Sequence, residues 1–213
     1  EFAQSEFFTA ATEVSVGESG EVMSPRLTAE DGTPISLRGS IDRVDLYHGA
    51  DGDYLRVIDY KSGTKEFRFA DVPCGLNMQM LIYLYAACGD EGHRFGSPQP
   101  AGVLYFPSRI EAINSTVDLT EEDAEAAVNK ALRMKGMLLE DETVLRAMEQ
   151  ELGGVYIPAE LTQKGELSKR SNVYSREVFE KLRETVYGNI TGMGTDLLAG
   201  KVAPLPVQGG GYD

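Results

Sequence analysis

The chain predicts an α/β fold in which a β-hairpin is joined through a helix to a further strand. Three stretches carry that expectation. "ISLRGSIDRVDLY" (35–47) and "YLRVIDYKSG" (54–63) are rich in β-branched and aliphatic residues and flank the turn-forming "HGADGD". "DVPCGLNMQMLIYLYAAC" (71–88) has no turn residue after Gly75 and places long apolar side chains on more than one face. "AGVLYFPS" (101–108) is a short apolar run ended by Pro107.

Taken in order, "EVSVGES" (13–19) alternates weakly and predicts a first strand. The segments 35–47 and 54–63 predict a hairpin with a loop longer than two residues. From Leu76 onward a largely buried helix is expected, then a buried strand over 101–108 that pairs in parallel with an earlier strand across the helix. Thr120 opens "TEEDAEAAVNKALRMKGMLLED". An N-cap threonine, acids in the first turn, and Ala124, Ala127, Val128, Ala131 and Leu132 at helical spacing predict a second helix. Residues 152–174 are polar, with a strand-like "VYIPAEL", and predict an excursion or hairpin. Ser175 caps a last helix whose face is Val178, Leu182, Val186 and Ile190, with Gly200 as its stop. The expected organisation is one domain over 1–213, a piece of a longer chain, with 201–213 as a mobile tail.

Composition narrows the function. The formal net charge of -14 argues against a protein that coats DNA through basic side chains. It does not exclude a local phosphate site, because a bound cation reverses the sign at an acidic cluster. No run is long and apolar enough to span a bilayer, so no membrane role is expected. Cys74 and Cys88 match no metal spacing and read as two core thiols in a reducing cytoplasm. His48 and His93 are too few and too separated for a histidine-built metal site or a catalytic triad. Metal chemistry would therefore rest on carboxylates and hard ions such as Mg²⁺ or Mn²⁺.

The hairpin strands hold the candidate chemistry. In "VIDYKSG", Asp59 and Lys61 are two apart and share one face of a strand, while Tyr60 takes the other. Asp42 lies in "GSIDRVD" on the partner strand, and an antiparallel hairpin can bring its carboxylate beside Asp59. A divalent cation resolves the repulsion between two such carboxylates, polarises a phosphoryl group and acidifies bound water. A lysine beside it can orient that water or neutralise charge on the phosphate. Chemistry that needs these groups together is phosphodiester hydrolysis; a solvated cross-strand ion pair is the plain alternative. Gln79 and Tyr83, four apart in "MQMLIYLY", share one helix face. They serve either as core side chains or as groups that reach the acidic end of the hairpin.

"GSIDRVD", "VIDYKSG" and "QMLIY", in this order and at these distances, resemble the nuclease motifs of the RecB-like branch of the PD-(D/E)XK superfamily. Within it the chain is most similar to the AddB family of helicase–nuclease subunits, also through "VYIPAELTQKGELSKRSNVYSREVFEKL" and "LLAGKVAPLP". The resemblance implies a restriction-endonuclease-like α/β core, a mixed central sheet flanked by helices. It implies a metal-dependent DNA exonuclease that acts in double-strand break processing, with single-stranded DNA as substrate and an AddA-like partner subunit. By this likeness Asp42 and Asp59 are the metal-binding acids, Tyr60 offers its backbone carbonyl and Lys61 is the catalytic lysine. Gln79 and Tyr83 help place the strand, and Glu13 stands where an upstream acid often occurs. The family also carries a cysteine-held iron–sulfur cluster. Neither Cys74 nor Cys88 fits its spacing, so the chain is expected to begin after the first ligand, to stop before the later ones and to lack the cluster. A scaffold of the same fold that guides DNA without cutting it is the alternative.

Overall fold

In the computed structural model, residues 4–63, 67–109 and 120–203 are described. Among them, six strands form one mixed sheet in the order β1-β4-β5-β6-β7-β8. The elements, in chain order, are β1 (Phe8–Val16), β2 (Leu27–Thr28), β3 (Pro34–Ile35), β4 (Gly39–Gly49), β5 (Gly52–Lys61), α1 (Gln79–Cys88), β6 (Gln99–Pro107), α2 (Glu121–Leu132), β7 (Lys135–Leu139), α3 (Glu142–Met148), β8 (Val173–Tyr174) and α4 (Arg176–Leu198). β2 and β3 form a separate two-stranded ribbon among the described residues.

The hairpin expectation holds, with two corrections. Ile35 belongs to the small β2–β3 ribbon, and the long strand starts at Gly39. The loop is two residues, Ala50 and Asp51, because Gly49 and Gly52 still pair and His48 Nδ1 meets Asp53 Oδ1 at 2.6 Å. Gly52, the first residue of β5 after the loop, has a positive φ of 136°, which glycine adopts without steric cost. β5 and β6 run parallel, joined through α1, as a crossover requires. β1 and β5 each run antiparallel to β4 between them, so the sheet is mixed.

The helices follow their apolar positions. α1 buries Met80, Leu81, Leu84, Tyr85, Ala86 and Ala87, and Tyr85 Oη donates to the Phe179 carbonyl of α4 at 2.8 Å. Thr120 caps α2 by accepting from the Asp123 amide at 3.1 Å. That helix does not run on to Asp141. It ends at Leu132, and "KGMLL" becomes β7, whose Gly136 has φ 154° and lies so close to the Val103 carbonyl that a Cβ would collide with it. An apolar run of this length suits a buried strand as well as a helix; the neighbouring strand decides. α4 buries Phe179, Leu182, Val186 and Ile190; Phe179 rather than Val178 leads the stripe. Its Gly194 packs closely against the Ile35 side chain, which would have to shift to admit a Cβ there. Gly200, with φ 72°, lies just beyond the helix end. Of the expected tail, 204–213 lie outside the described residues.

Cys88 is half-buried against the core, and burial pushes its thiol pKa well up. Cys74 is exposed, so it is not a core thiol. Among the described residues no helix is long and apolar enough to cross a membrane.

Candidate active site

The ladder between β4 and β5 pairs Val44 with Val57 and Arg43 with Ile58. One step further from the turn, Asp42 stands across from Asp59. Strand alternation then puts Asp42, Asp59 and Lys61 on one face and Arg43, Ile58 and Tyr60 on the other. The contacts agree with this. Asp42 Oδ2 accepts from the Tyr60 amide at 3.0 Å, and Lys61 Nζ lies 2.6 Å from Asp59 Oδ2. Asp59 is 6% exposed. Although its Oδ2 touches the ammonium, it accepts no well-directed hydrogen bond among the described residues. It is thus a buried acceptor held by charge alone, in a place where buried polar atoms normally have directed partners. The same carboxylate acts on its neighbour in β6: burial, reinforced by the Asp59 charge, pushes the Tyr105 phenol up to about 12.

The Tyr60 side chain is on the opposite face. Its Oη accepts from Arg43 Nη1 at 3.4 Å, and its ring meets Phe106 edge-on at 5.5 Å. Gln79 is not in the middle of a helix. It is the first residue of α1, exposed, and its amide donates to Tyr83 Oη at 3.2 Å. The Tyr83 ring lies over Gly39, where a Cβ would be 2.5 Å from the hydroxyl oxygen. This contact docks α1 on the start of β4, beside the strand end that carries Asp42. Glu13 sits on β1 between the rungs Thr12–Arg43 and Val14–Ile41, hence across from Asp42. It is exposed, with a left-handed φ of 52°, a conformation disfavoured for any residue but glycine.

Among the described residues, no three His, Cys, Asp or Glu side chains are grouped to hold a metal ion. Mg²⁺, however, takes one or two carboxylates and keeps several waters. Asp42 and Asp59, across from each other on the hairpin, are therefore carboxylates that such an ion could take, and the poorly satisfied Asp59 Oδ2 is the acceptor it would complete.

One part of the site's support was not foreseen in the sequence. Asp45 is fully buried and accepts from Arg43 Nε at 2.6 Å and Nη2 at 2.8 Å, and from Arg56 Nε at 3.0 Å and Nη2 at 2.9 Å. Burial works against the Arg43 charge, but its bonds to Asp45 and Tyr60 outweigh that and hold its pKa above the ordinary value. Arg56 also stacks on Phe7 at 4.8 Å. Charged residues at alternate positions of an otherwise apolar strand pair were the available signal.

A profile of the PD-(D/E)XK nuclease superfamily matches residues 1–209. The chain is similar to the B subunit of the ATP-dependent helicase/deoxyribonuclease of Alkaliphilus oremlandii, 34% identical over 97% of this chain. The protein of the same description from Acetivibrio thermocellus is 36% identical over 96% of it, and that from Clostridium botulinum strain Hall 35% over 92%. The chain spans 18% of the length of the first two and 17% of the third. With a mixed sheet flanked by helices and the acids and lysine of its central hairpin in register, the chain belongs to the PD-(D/E)XK nuclease superfamily.

Proposed function

We propose that this chain is a Mg²⁺- or Mn²⁺-dependent deoxyribonuclease domain, an exonuclease that hydrolyses single-stranded DNA during double-strand break processing. The observation that carries the proposal is the Asp59–Lys61 pair: a buried carboxylate whose Oδ2 accepts no directed hydrogen bond among the described residues and lies 2.6 Å from an ammonium, on the strand beside Asp42. In this reading Asp42, Asp59 and the Tyr60 carbonyl hold the ion, with Glu13 as an outer acid. When bound, such an ion supplies Lewis-acid stabilisation of the phosphoryl oxygen and acidifies attacking water. Lys61, on the same strand face as the two acids, would neutralise charge that develops on the scissile phosphate. Gln79 and Tyr83 hold the strand against the N-terminal end of α1. The likeness to helicase/deoxyribonuclease proteins supports a further step: in a longer polypeptide the domain works beside an AddA-like helicase–nuclease partner that delivers the single strand.

The test is degradation of end-labelled single-stranded DNA with Mn²⁺, with and without EDTA, in the parent chain and in Asp59→Ala. Chelator-sensitive cleavage that disappears with Asp59→Ala is expected. A second reading, a non-catalytic domain that guides DNA, draws on the lack of any three-ligand group among the described residues. It expects no cleavage and no Mn²⁺ binding by calorimetry.

A further inference from the structure

The chain carries 34 acidic against 20 basic side chains, yet one cleft has the opposite sign. It encloses about 680 Å³ and is lined by Lys130, Arg133, Lys135, Lys169 and Arg170, with no Asp or Glu among its described lining residues. Lys130 stands at the end of α2, Lys135 at the start of β7, and Lys169 and Arg170 in the loop that leads to β8. Lys130, Lys169 and Arg170 are exposed. Five cations converging from three segments of an acidic chain raise the local potential against the field of the whole.

The cleft has a defined relation to Asp59. In the sheet, Asp59 pairs with Tyr105 and Tyr105 pairs with Lys135, so the three form one row across β5, β6 and β7. Residues in one row share a face, and two strand spacings separate its ends by roughly 10 Å. Lys135 therefore opens the cleft on the face, and at the level, of the Asp42–Asp59–Lys61 group. An aromatic surface lies at the same place. Tyr174 lines the cleft, and Phe69, exposed, stacks on it at 5.1 Å with the ring planes 20° apart. A positive groove that follows a phosphate backbone, with an aromatic platform for unpaired bases, is how proteins hold single strands without sequence preference.

We infer that this cleft is a single-stranded nucleic-acid track, in which Lys130, Arg133, Lys135, Lys169 and Arg170 follow the backbone and Phe69 on Tyr174 stacks a base. It leads the strand along the sheet face to Asp59. The inference deepens the nuclease proposal and rests on it for the direction of travel, while binding is measured apart from cleavage. The probe is a fluorescein-labelled 20-nucleotide oligo-dT, followed by anisotropy in EDTA across a salt series with the whole 213-residue chain.

Each phosphate contact to a single strand contributes about 0.7 to the slope of log affinity on log salt. Lys169→Ala/Arg170→Ala is therefore expected to flatten that slope by about 1.4, or roughly 25-fold weaker binding at 0.1 M salt relative to 1 M. Phe69→Ala is expected to weaken binding roughly 5- to 150-fold, the range for losing one stacked base, with little change of slope. The inference is overturned if both variants bind like the parent. It is also overturned if a duplex of equal length binds as tightly and ignores Phe69→Ala, or if polyglutamate competes as well as unlabelled oligo-dT, which would point to an acidic protein partner. If the parent binds in the expected way but never cleaves with Mn²⁺, the nuclease proposal fails and the track stands.

Discussion

Asp45→Asn tests what holds the hairpin, and so Asp42 and Asp59, in register. Asp45 and Arg56 are fully buried and Arg43 is 3% exposed, and the carboxylate accepts four hydrogen bonds of 3.0 Å or less from the two guanidiniums. Four charge-assisted bonds cannot be summed, because they share one acceptor group. A better guide is the measured cost of breaking a buried ion pair by removing one partner, ~3–5 kcal/mol. Asparagine keeps the shape and one acceptor oxygen, so ~3 kcal/mol is expected for it and ~5 kcal/mol for Asp45→Ala. At this chain length each kcal/mol moves the melting temperature by about 2–4 °C, so the two variants should lose about 6 to 20 °C. Differential scanning calorimetry and urea unfolding measure this directly. Arg43→Met/Asp45→Leu/Arg56→Met, which removes all three charges, should lose less than Asp45→Ala, since no buried charge is stranded. A loss of under ~1 kcal/mol for Asp45→Ala would refute the view that this triad clamps β4 to β5.

Other outcomes follow from the same geometry. Lys61→Ala should keep Mn²⁺ binding by calorimetry and slow cleavage by roughly 100- to 1,000-fold, whereas Asp59→Ala should abolish binding and cleavage together; unchanged cleavage in Lys61→Ala would reduce the pair to a structural bridge. Glu149, 2% exposed, accepts from the amides of Val155 and Tyr156 at 2.9 Å and of Ile157 at 3.1 Å, so Glu149→Ala should cost ~1–3 kcal/mol in urea unfolding. Gly136→Ala puts a methyl group into the Val103 carbonyl at a φ of 154° and should leave little folded protein by circular dichroism. Tyr105 is neutral when folded up to about 12, mainly through burial. Its raised folded value means its contribution to stability is complete below the ordinary pKa of 10 and lost as pH rises from there through about 12, so Tyr105→Phe should flatten the fall in melting temperature over that window.

The local chain was enough to specify the hairpin, α1, the β6 crossover strand and the cap of α2. Each depends on side-chain period, turn residues or an N-cap, which are properties of neighbours in sequence. The same holds for Asp59 and Lys61 on one face, because strand alternation needs no tertiary information. Residues 135–139 escaped that logic: "KGMLL" continues an apolar helix on paper, and only the Gly102–Val103 backbone beside Gly136 makes it a strand. Gln79 likewise looked interior by sequence and is exposed, because α1 begins there rather than at Leu76. The row Asp59–Tyr105–Lys135 needed the sheet order itself, because its members come from strands far apart in the chain. The buried Arg43–Asp45–Arg56 cluster lies within the hairpin, but which charge faces which is set there by the register of pairing and by what the core leaves room for, not by side-chain period alone.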